Sequence, residues 1–112
     1  MTNSLEGSGP DAGGLASIHA AVETQHECRA VHRDIVRVRE EYEGQPVWDG
    51  AVYVFDLTDH PTAEVAYGWS DPVPGTDRRR FYAVLHIGPV DSPETAVRAA
   101  IVSEYRGSKS GP

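Results

Sequence analysis

The chain has 112 residues, a net charge of −7 and one cysteine. This length suits a single domain, the negative charge disfavours binding to phosphate backbones, and one cysteine excludes an internal disulfide framework. No apolar run approaches the ~20 residues of a membrane span. No basic residue precedes Arg29, so we expect no signal peptide. These features predict a soluble, cytoplasmic protein.

Both ends of the chain are dominated by small and polar residues. Residues 1–14 and residues 106–112 consist largely of Gly, Ser and Pro. Such segments bury too little apolar surface to offset the entropy that is lost when a chain is ordered. We therefore predict disordered tails at residues 1–14 and 106–112, on either side of a single domain at residues 15–105.

The first folded segment has the spacing of a helix. From Leu15 to Tyr42 the chain has neither glycine nor proline, and its apolar residues recur every three or four positions. The stripe comprises Leu15, Ile18 and Val22 and continues with Cys28, Val31, Ile35, Val38 and Tyr42. It lapses near Gln25, where the helix either breaks or continues without burial. Gly44 and Pro46 are predicted to end this long N-terminal helix.

Three runs of strand-like composition follow, at residues 47–57, 63–70 and 80–88. In the first run one face comprises Tyr53, Phe55 and Leu57, and the other comprises Trp48, Val52 and Val54. Because both faces are apolar, we predict that this strand is covered on both sides. In the third run, Tyr82 and His86 share a face.

The final helix has a clear start signal. Ser92 is predicted to be its N-cap, Pro93 its first residue, and Glu94 complements the positive end of the helix dipole. The elements therefore follow the order α-β-β-β-α. We predict an α+β fold in which a three-stranded antiparallel meander packs with a long N-terminal helix and a short C-terminal helix.

This order of elements resembles that of the double-stranded-RNA-binding domain. That family contacts phosphates largely through lysines at the start of its last helix, and here the same stretch reads DSPETAVR. The resemblance is thus one of topology, and nucleic acid is not the expected partner. A weak nucleic-acid contact through Arg78, Arg79 and Arg80 is kept as an alternative function.

The stretch HECRAVHRD, residues 26–34, is the most chemically distinctive part of the sequence. On a helix, Cys28 and His32 project from one face about one turn apart, which suits a pair of zinc ligands. A zinc site needs three or four ligands, and no spacing identifies His60, His86 or a carboxylate as the others. Cys28 also lies on the apolar stripe, where a buried thiol is ordinary. We prefer this packing interpretation and expect no metal or other cofactor.

The best catalytic constellation in the sequence is His86 with Asp56 and Tyr82, to which His60 is a further candidate. His86 and Tyr82 share one strand face, and Asp56 shares a face with Val52 and Val54. Whether these faces coincide depends on the strand register. A histidine near a carboxylate is the minimum for general acid–base catalysis, but no phosphate-binding loop or serine-nucleophile motif accompanies it. A small-molecule-binding protein or minor enzyme using this face is therefore an alternative function.

The chain is rich in aromatic residues for a small sheet. The set comprises Trp48, Tyr53, Tyr67, Trp69, Phe81 and Tyr82. Core packing explains most of them. If Trp48 and Tyr82 lie on the sheet face away from the final helix, that face needs the first helix, a partner or a ligand to cover it.

The predicted N-terminal helix is too long for the predicted sheet. Residues 15–42 would span ~42 Å, whereas a strand of about eight residues spans ~27 Å. A second copy is the simplest cover for the overhang, in a two-fold dimer. His19 and His26 are either ordinary exposed histidines of a solvated helix or, at such a seam, groups that make the association pH-sensitive. The seam would comprise Leu15, Ile18, Val22, His19 and His26. We therefore predict a self-associating protein-binding or regulatory module with an unidentified protein partner. A helix bent near Gln25 would instead permit a monomer.

Overall fold

The computed structural model describes residues 14–110, with side chains described as far as residue 104. The elements are helix α1 (Leu15–His26), strands β1 (Arg29–Tyr42), β2 (Gln45–Thr58), β3 (Val65–Pro72) and β4 (Arg79–Leu85), and helix α2 (Pro93–Ser110). The strands in this part of the chain form one antiparallel sheet in the order β1-β2-β3-β4. The predicted α+β class is confirmed.

The largest departure from the prediction is the second half of the expected long helix. The helix ends at His26, where the stripe lapses, because Glu27 adopts a left-handed conformation with φ of 53°. Residues 29–42 form β1 instead. Here Val36 is half-buried and Val38 is buried while the intervening Arg37 is exposed, and such β-branched side chains favour a strand. The three-stranded meander and the long N-terminal helix were therefore wrong predictions, and the resemblance to the dsRNA-binding topology is lost with them.

A bulge divides β1 into two parts that bury opposite faces. The pairing with β2 shifts between His32 and Asp34, so Arg33 is an extra residue in the strand. Before the bulge Ala30 packs with α1, and after it Val38 packs with α2. A single alternation therefore does not run through the whole strand.

A two-residue turn joins β1 to β2. Tyr42 pairs with Gln45, and the two residues between them, Glu43 and Gly44, have φ of 52° and 80°. Positive φ at both central positions is the signature of a type I′ hairpin turn. Gly44, which was predicted to cap a helix, therefore closes a hairpin.

The two helices cover opposite faces of the sheet. On the α1 face the packed residues include Ile18, Val22, Phe55, Leu57 and Ala66. On the α2 face they include Val38, Val52, Val54, Tyr67, Trp69 and Val97. The alternation predicted for the first run is confirmed, and β2 is covered on both sides.

Helix α2 begins as the sequence predicts. Ser92 Oγ accepts a hydrogen bond from the Thr95 N–H at 3.1 Å, and Thr95 Oγ1 accepts one from the Ser92 N–H at 2.9 Å. Its Arg98 donates to the buried Glu40 of β1 at 2.8 Å, which fastens the helix to that strand. The helix continues through residues 106–110, which were predicted to be tail. The other predicted tail, apart from Gly14, lies outside the described residues.

The sheet divides into two hairpins at one end. The pairing of β2 with β3 stops at Tyr53 and Gly68, although β2 begins at Gln45 and β3 continues to Pro72. We call the gap between residues 45–52 and residues 69–72 the sheet split. Neither helix of the described chain is long and apolar enough to cross a membrane.

Candidate functional site

An aromatic pocket lies where the sheet split meets α2. Its volume is about 380 Å³. Its principal lining residues are the aromatic Trp48, Trp69 and Tyr82, the carboxylates Asp71 and Glu104, and the apolar Ile101. The three aromatic residues come from β2, β3 and β4, so the pocket brings together residues that are far apart in the sequence.

The aromatic rings of the pocket support one another. Trp69 and Tyr82 are direct cross-strand neighbours, and their rings stack with centroids 5.1 Å apart and planes 7° apart. Trp48 meets Trp69 edge-on at 6.0 Å. Stacked and edge-to-face pairs at these distances are both favourable. Trp69 is 2% exposed, whereas Trp48 and Tyr82 are half-buried, so the two outer rings face the pocket on a buried support.

Trp48 spans the sheet split. Its indole Nε1 donates a hydrogen bond to Asp71 Oδ1 at 2.9 Å, which links β2 to β3 where the two strands are not paired. The ring lies over Gly50, because a Cβ atom added at that glycine would come within 2.9 Å of the ring carbon Cη2. The hydrogen bond and the glycine together set the orientation of the Trp48 ring.

The mouth of the pocket carries a net negative charge. The Tyr82 hydroxyl donates to Glu104, which also accepts from Arg80 Nη1 at 3.1 Å. Asp71 adds a second carboxylate, and two carboxylates against one guanidinium leave one negative charge. Aromatic faces also carry negative potential. The pocket is thus electrostatically suited to a cation, which such rings attract within ~6 Å of their centroids.

The acidity of Tyr82 reports this environment. Burial raises the pKa of Tyr82 from 10.0 to about 12, and the hydrogen bond to Glu104 adds to the rise. Because the neutral hydroxyl is favoured in the folded state, its contribution to stability is full below pH 10.0 and is lost as the pH rises to about 12.

We expect Glu104→Gln to lower the pKa of Tyr82, because it removes the negative charge that disfavours ionisation. Alkaline titration of tyrosinate absorbance measures this, and the difference from Tyr82→Phe in each background isolates the Tyr82 transition. Circular dichroism at each pH checks that the protein is still folded. An unchanged transition in Glu104→Gln would contradict the hydrogen bond to Glu104.

The predicted catalytic residues lie on one face but do not converge. Asp56 and His86 lie in one row across the sheet, with Val65 between them, so their Cα atoms are about 10 Å apart at the usual strand spacing. Tyr82 lies on β4, four residues before His86. The Nδ1 atom of His86 instead lies 2.6 Å from the hydroxyl oxygen of the buried Tyr67. Sequence reasoning missed this pair because only the register brings it together.

Asp56 and His60 also have other partners. Asp56 forms an ion pair with Arg33 at 3.5 Å. His60 Nδ1 accepts hydrogen bonds from the backbone N–H groups of Thr62 and Ala63, each at 3.1 Å. His60 therefore shapes the loop between β2 and β3 and does not join His86.

The predicted metal pair is separated by the strand. His32 belongs to β1, and Cys28 immediately precedes that strand. The two residues are therefore separated by four residues of extended chain, which span ~13 Å, and do not lie one helical turn apart. Burial raises the pKa of the Cys28 thiol, and nearby Glu23 and Asp59 raise it further, which disfavours the thiolate that binds metal. No group of three or more His, Cys, Asp or Glu residues in the described part of the chain is placed to hold a metal ion.

The predicted dimer seam lies mostly inside the fold. Ile18 and Val22 are 1% and 0% exposed against the sheet, whereas Leu15 is 39% exposed. His19 and His26 donate to the backbone carbonyls of Ala30 and Ala83, at 2.6 and 2.7 Å. These residues therefore attach α1 to its own sheet.

The predicted basic cluster is divided between environments. Arg79 donates to Ser70 Oγ at 2.9 Å and to the Ser70 carbonyl at 3.1 Å. Arg80 pairs with Glu104, and Arg78 is exposed. Alternate strand residues point to opposite faces, so Arg79 and Arg80 do not form one positive patch.

Sequence reasoning identified only part of the aromatic pocket. It singled out Trp48 and Tyr82, yet both lie on the α2 face and not on the face away from the final helix. It missed Asp71 and Glu104, because the sequence places Asp71 in a loop-like segment and Glu104 on the exposed side of the final helix. The signal that was present is the set of aromatic residues on the strand-like runs, since core packing explained most of them but not all.

Comparisons with known proteins found no match for this chain among family models, curated proteins or solved structures. Function is therefore inferred from the site itself, which is also the sounder basis because one fold hosts many functions.

Proposed function

We propose that this protein is a small binding module that holds a cationic group of its ligand in the aromatic pocket. The observation that supports this most is the meeting of Trp48, Trp69 and Tyr82 with two carboxylates in one cavity of about 380 Å³. Aromatic rings beside carboxylates are the usual means of recognising alkylated ammonium groups. The binding module predicted from the sequence is thus kept, with a different surface as its site.

The polar groups of the pocket suit binding better than proton transfer. Asp71 is already bonded to the Trp48 indole, and Glu104 to the Tyr82 hydroxyl and Arg80. These bonds hold the rings and keep both charges at the mouth. A preformed pocket of this kind spends little free energy on ordering when its ligand binds.

We expect choline, as a probe of an alkylated ammonium group, to bind more tightly than dimethylbutanol, in which carbon replaces the charged nitrogen. The chain has 2 tryptophans, both of them in the pocket, so intrinsic fluorescence reports binding there directly. A cation–π contact contributes about 0.5–2 kcal/mol, so Trp48→Ala should raise Kd by roughly 2- to 30-fold. Trp69 remains as the reporter in that variant.

Tyr42→Ala is the matched control, because Tyr42 is on the same hairpin but 68% exposed and away from the pocket. It should leave the Kd for choline unchanged. Equal binding of choline and dimethylbutanol would contradict the proposal, as would a Trp48→Ala variant that binds choline as tightly as the parent protein.

A cytoplasmic location and a homodimer stay predictions. Because Ile18 and Val22 are inside the fold, the homodimer loses the seam on which it was predicted. Native mass spectrometry of the purified chain measures the oligomeric state directly, and a monomer would remove this prediction without affecting the aromatic pocket.

A further inference from the structure

We infer that the ligand is an extended polypeptide segment that pairs with the inner edge of β2 in the sheet split and places a cationic side chain in the aromatic pocket. This inference rests on the proposed function for the cation. It adds the backbone of a protein partner, which a free ammonium compound lacks.

The inner edge of β2 turns unpaired backbone groups into the split. Leu57 N–H donates to the Glu64 carbonyl at 2.8 Å, on the β3 side, and alternate residues of a strand direct their backbone groups the same way. Tyr53 follows this alternation and pairs with Gly68. Ala51 and Asp49 come next, but the pairing with β3 has ended. Their N–H and C=O groups therefore face the split.

The facing edge of β3 is partly closed. By the same alternation Ser70 directs its backbone groups toward β2, and its carbonyl accepts from Arg79 at 3.1 Å. Pro72, the next residue facing this way, has no N–H group to donate. Most of the open donors and acceptors of the split are thus on β2, which makes Asp49 and Ala51 the docking edge.

Parts of the outer edges of the sheet are guarded, in contrast. At β1, Ala30 uses its carbonyl for His19 and its N–H for Glu23, and a bulge interrupts the strand beyond it. At β4, the carbonyls of Phe81 and Ala83 accept from Gln25 and His26. Such devices prevent strand addition, and the inner edge at Asp49 and Ala51 has neither.

The space for a strand adjoins the aromatic pocket. A second cavity of about 240 Å³ lies in the split and is lined by Asp49, Ala51, Ser70 and Arg79. It shares Trp48 and Asp71 with the aromatic pocket. In strand addition, main-chain hydrogen bonds supply affinity and alternate side chains enter pockets. A residue of the added strand can therefore direct its side chain to the rings, where Asp71 and Glu104 outweigh the single charge of Arg80 and favour a positive side chain.

The test compares one cation with and without a flanking backbone. The probes are a trimethyllysine residue blocked at both ends, and short peptides with a central trimethyllysine flanked by a randomised mixture of Val, Thr and Ser. We expect the peptide mixture to bind at least about tenfold more tightly. Two further sets of peptides carry a methyl group on every second backbone amide, one set on the odd-numbered amides and the other on the even-numbered ones. In at least one of these sets the gain in affinity over the blocked residue should be lost.

Ala51→Pro provides the matched variant, since it removes the N–H group that faces the split while the bonds to β1 are made by other residues. The variant should bind the blocked residue with the same Kd as the parent protein, and it should bind the peptides no more tightly than the blocked residue. If this variant does not fold, the methylated peptides decide the matter alone.

Equal affinity of peptides and blocked residue would overturn the inference and leave the proposed function intact, with a small ammonium compound as ligand. A peptide gain that survives both methylation patterns would overturn it too, because binding would then not use strand pairing. No binding of any trimethyllysine probe would overturn both the inference and the proposed function.

Discussion

Replacing Trp69 with alanine is expected to lower the free energy of unfolding by about 3–5 kcal/mol. Trp69 is 2% exposed, stacks on Tyr82 and meets Trp48 edge-on. Truncation removes the contacts of the whole indole and leaves a cavity between the sheet and α2 that the rigid surroundings fill only in part. Urea denaturation followed by circular dichroism measures the loss.

Two controls separate this effect from a general one. Tyr42→Ala, at a side chain that is 68% exposed, should change the free energy of unfolding by no more than about 0.5 kcal/mol. Trp69→Phe should cost less than Trp69→Ala, because an aromatic ring still supports Tyr82. A Trp69→Ala variant whose free energy of unfolding is within about 1 kcal/mol of the parent's would show that Trp48 and Tyr82 do not depend on this side chain for support.

Replacing Gly68 with alanine is expected to destabilise the protein by about 1–3 kcal/mol, although alanine normally stabilises a strand relative to glycine. A Cβ atom at this position would lie 2.7 Å from Ile18 Cγ2 and 3.2 Å from Val22 Cγ2. Helix α1 approaches the sheet closely here, and both contacting atoms belong to buried side chains that have little room to move.

A double-mutant cycle tests this origin of the effect. Ile18→Ala removes the methyl group that would clash, so Gly68→Ala should cost less in the Ile18→Ala background than in the parent. Val97→Ala, at a buried residue on the opposite face, is the control and should combine additively with Gly68→Ala. Additivity with Ile18→Ala as well would show that the glycine does not serve the contact with α1.

Local signals in the sequence predicted the elements whose structure depends on neighbouring residues. The start of α2 was predicted from Ser92, Pro93 and Glu94, since capping and helix-dipole effects act within one turn. The two faces of β2 were predicted from alternation, which is a property of any extended chain. These inferences needed no knowledge of what packs where.

The same reasoning failed for β1 because its pattern is ambiguous. Val31, Ile35 and Val38 recur at three- and four-residue steps, which is the spacing of a helix. The bulge at Arg33 moves the buried side from the α1 face to the α2 face, so the strand lacks a continuous period of two. Which period applies was decided by pairing with β2, a long-range contact.

The aromatic pocket shows the same limit at the level of function. Trp48 and Tyr82 were recognised as unusual, but their meeting with Asp71 and Glu104 depends on the register of three strands, on the early end of the β2–β3 pairing and on the path of α2. None of these leaves a periodic trace in the sequence.

Local signals were sufficient to predict the α+β class, the alternation within β2 and the start of α2, because each follows from propensity, periodicity or capping over a few residues. Contacts between distant segments were needed to establish that residues 29–42 form a strand, that Ile18 and Val22 are buried within their own chain, and that an aromatic pocket adjoins the part of β2 that is not paired with β3. These outcomes depend on which distant segments pair, and the free energy of that pairing outweighs local preference.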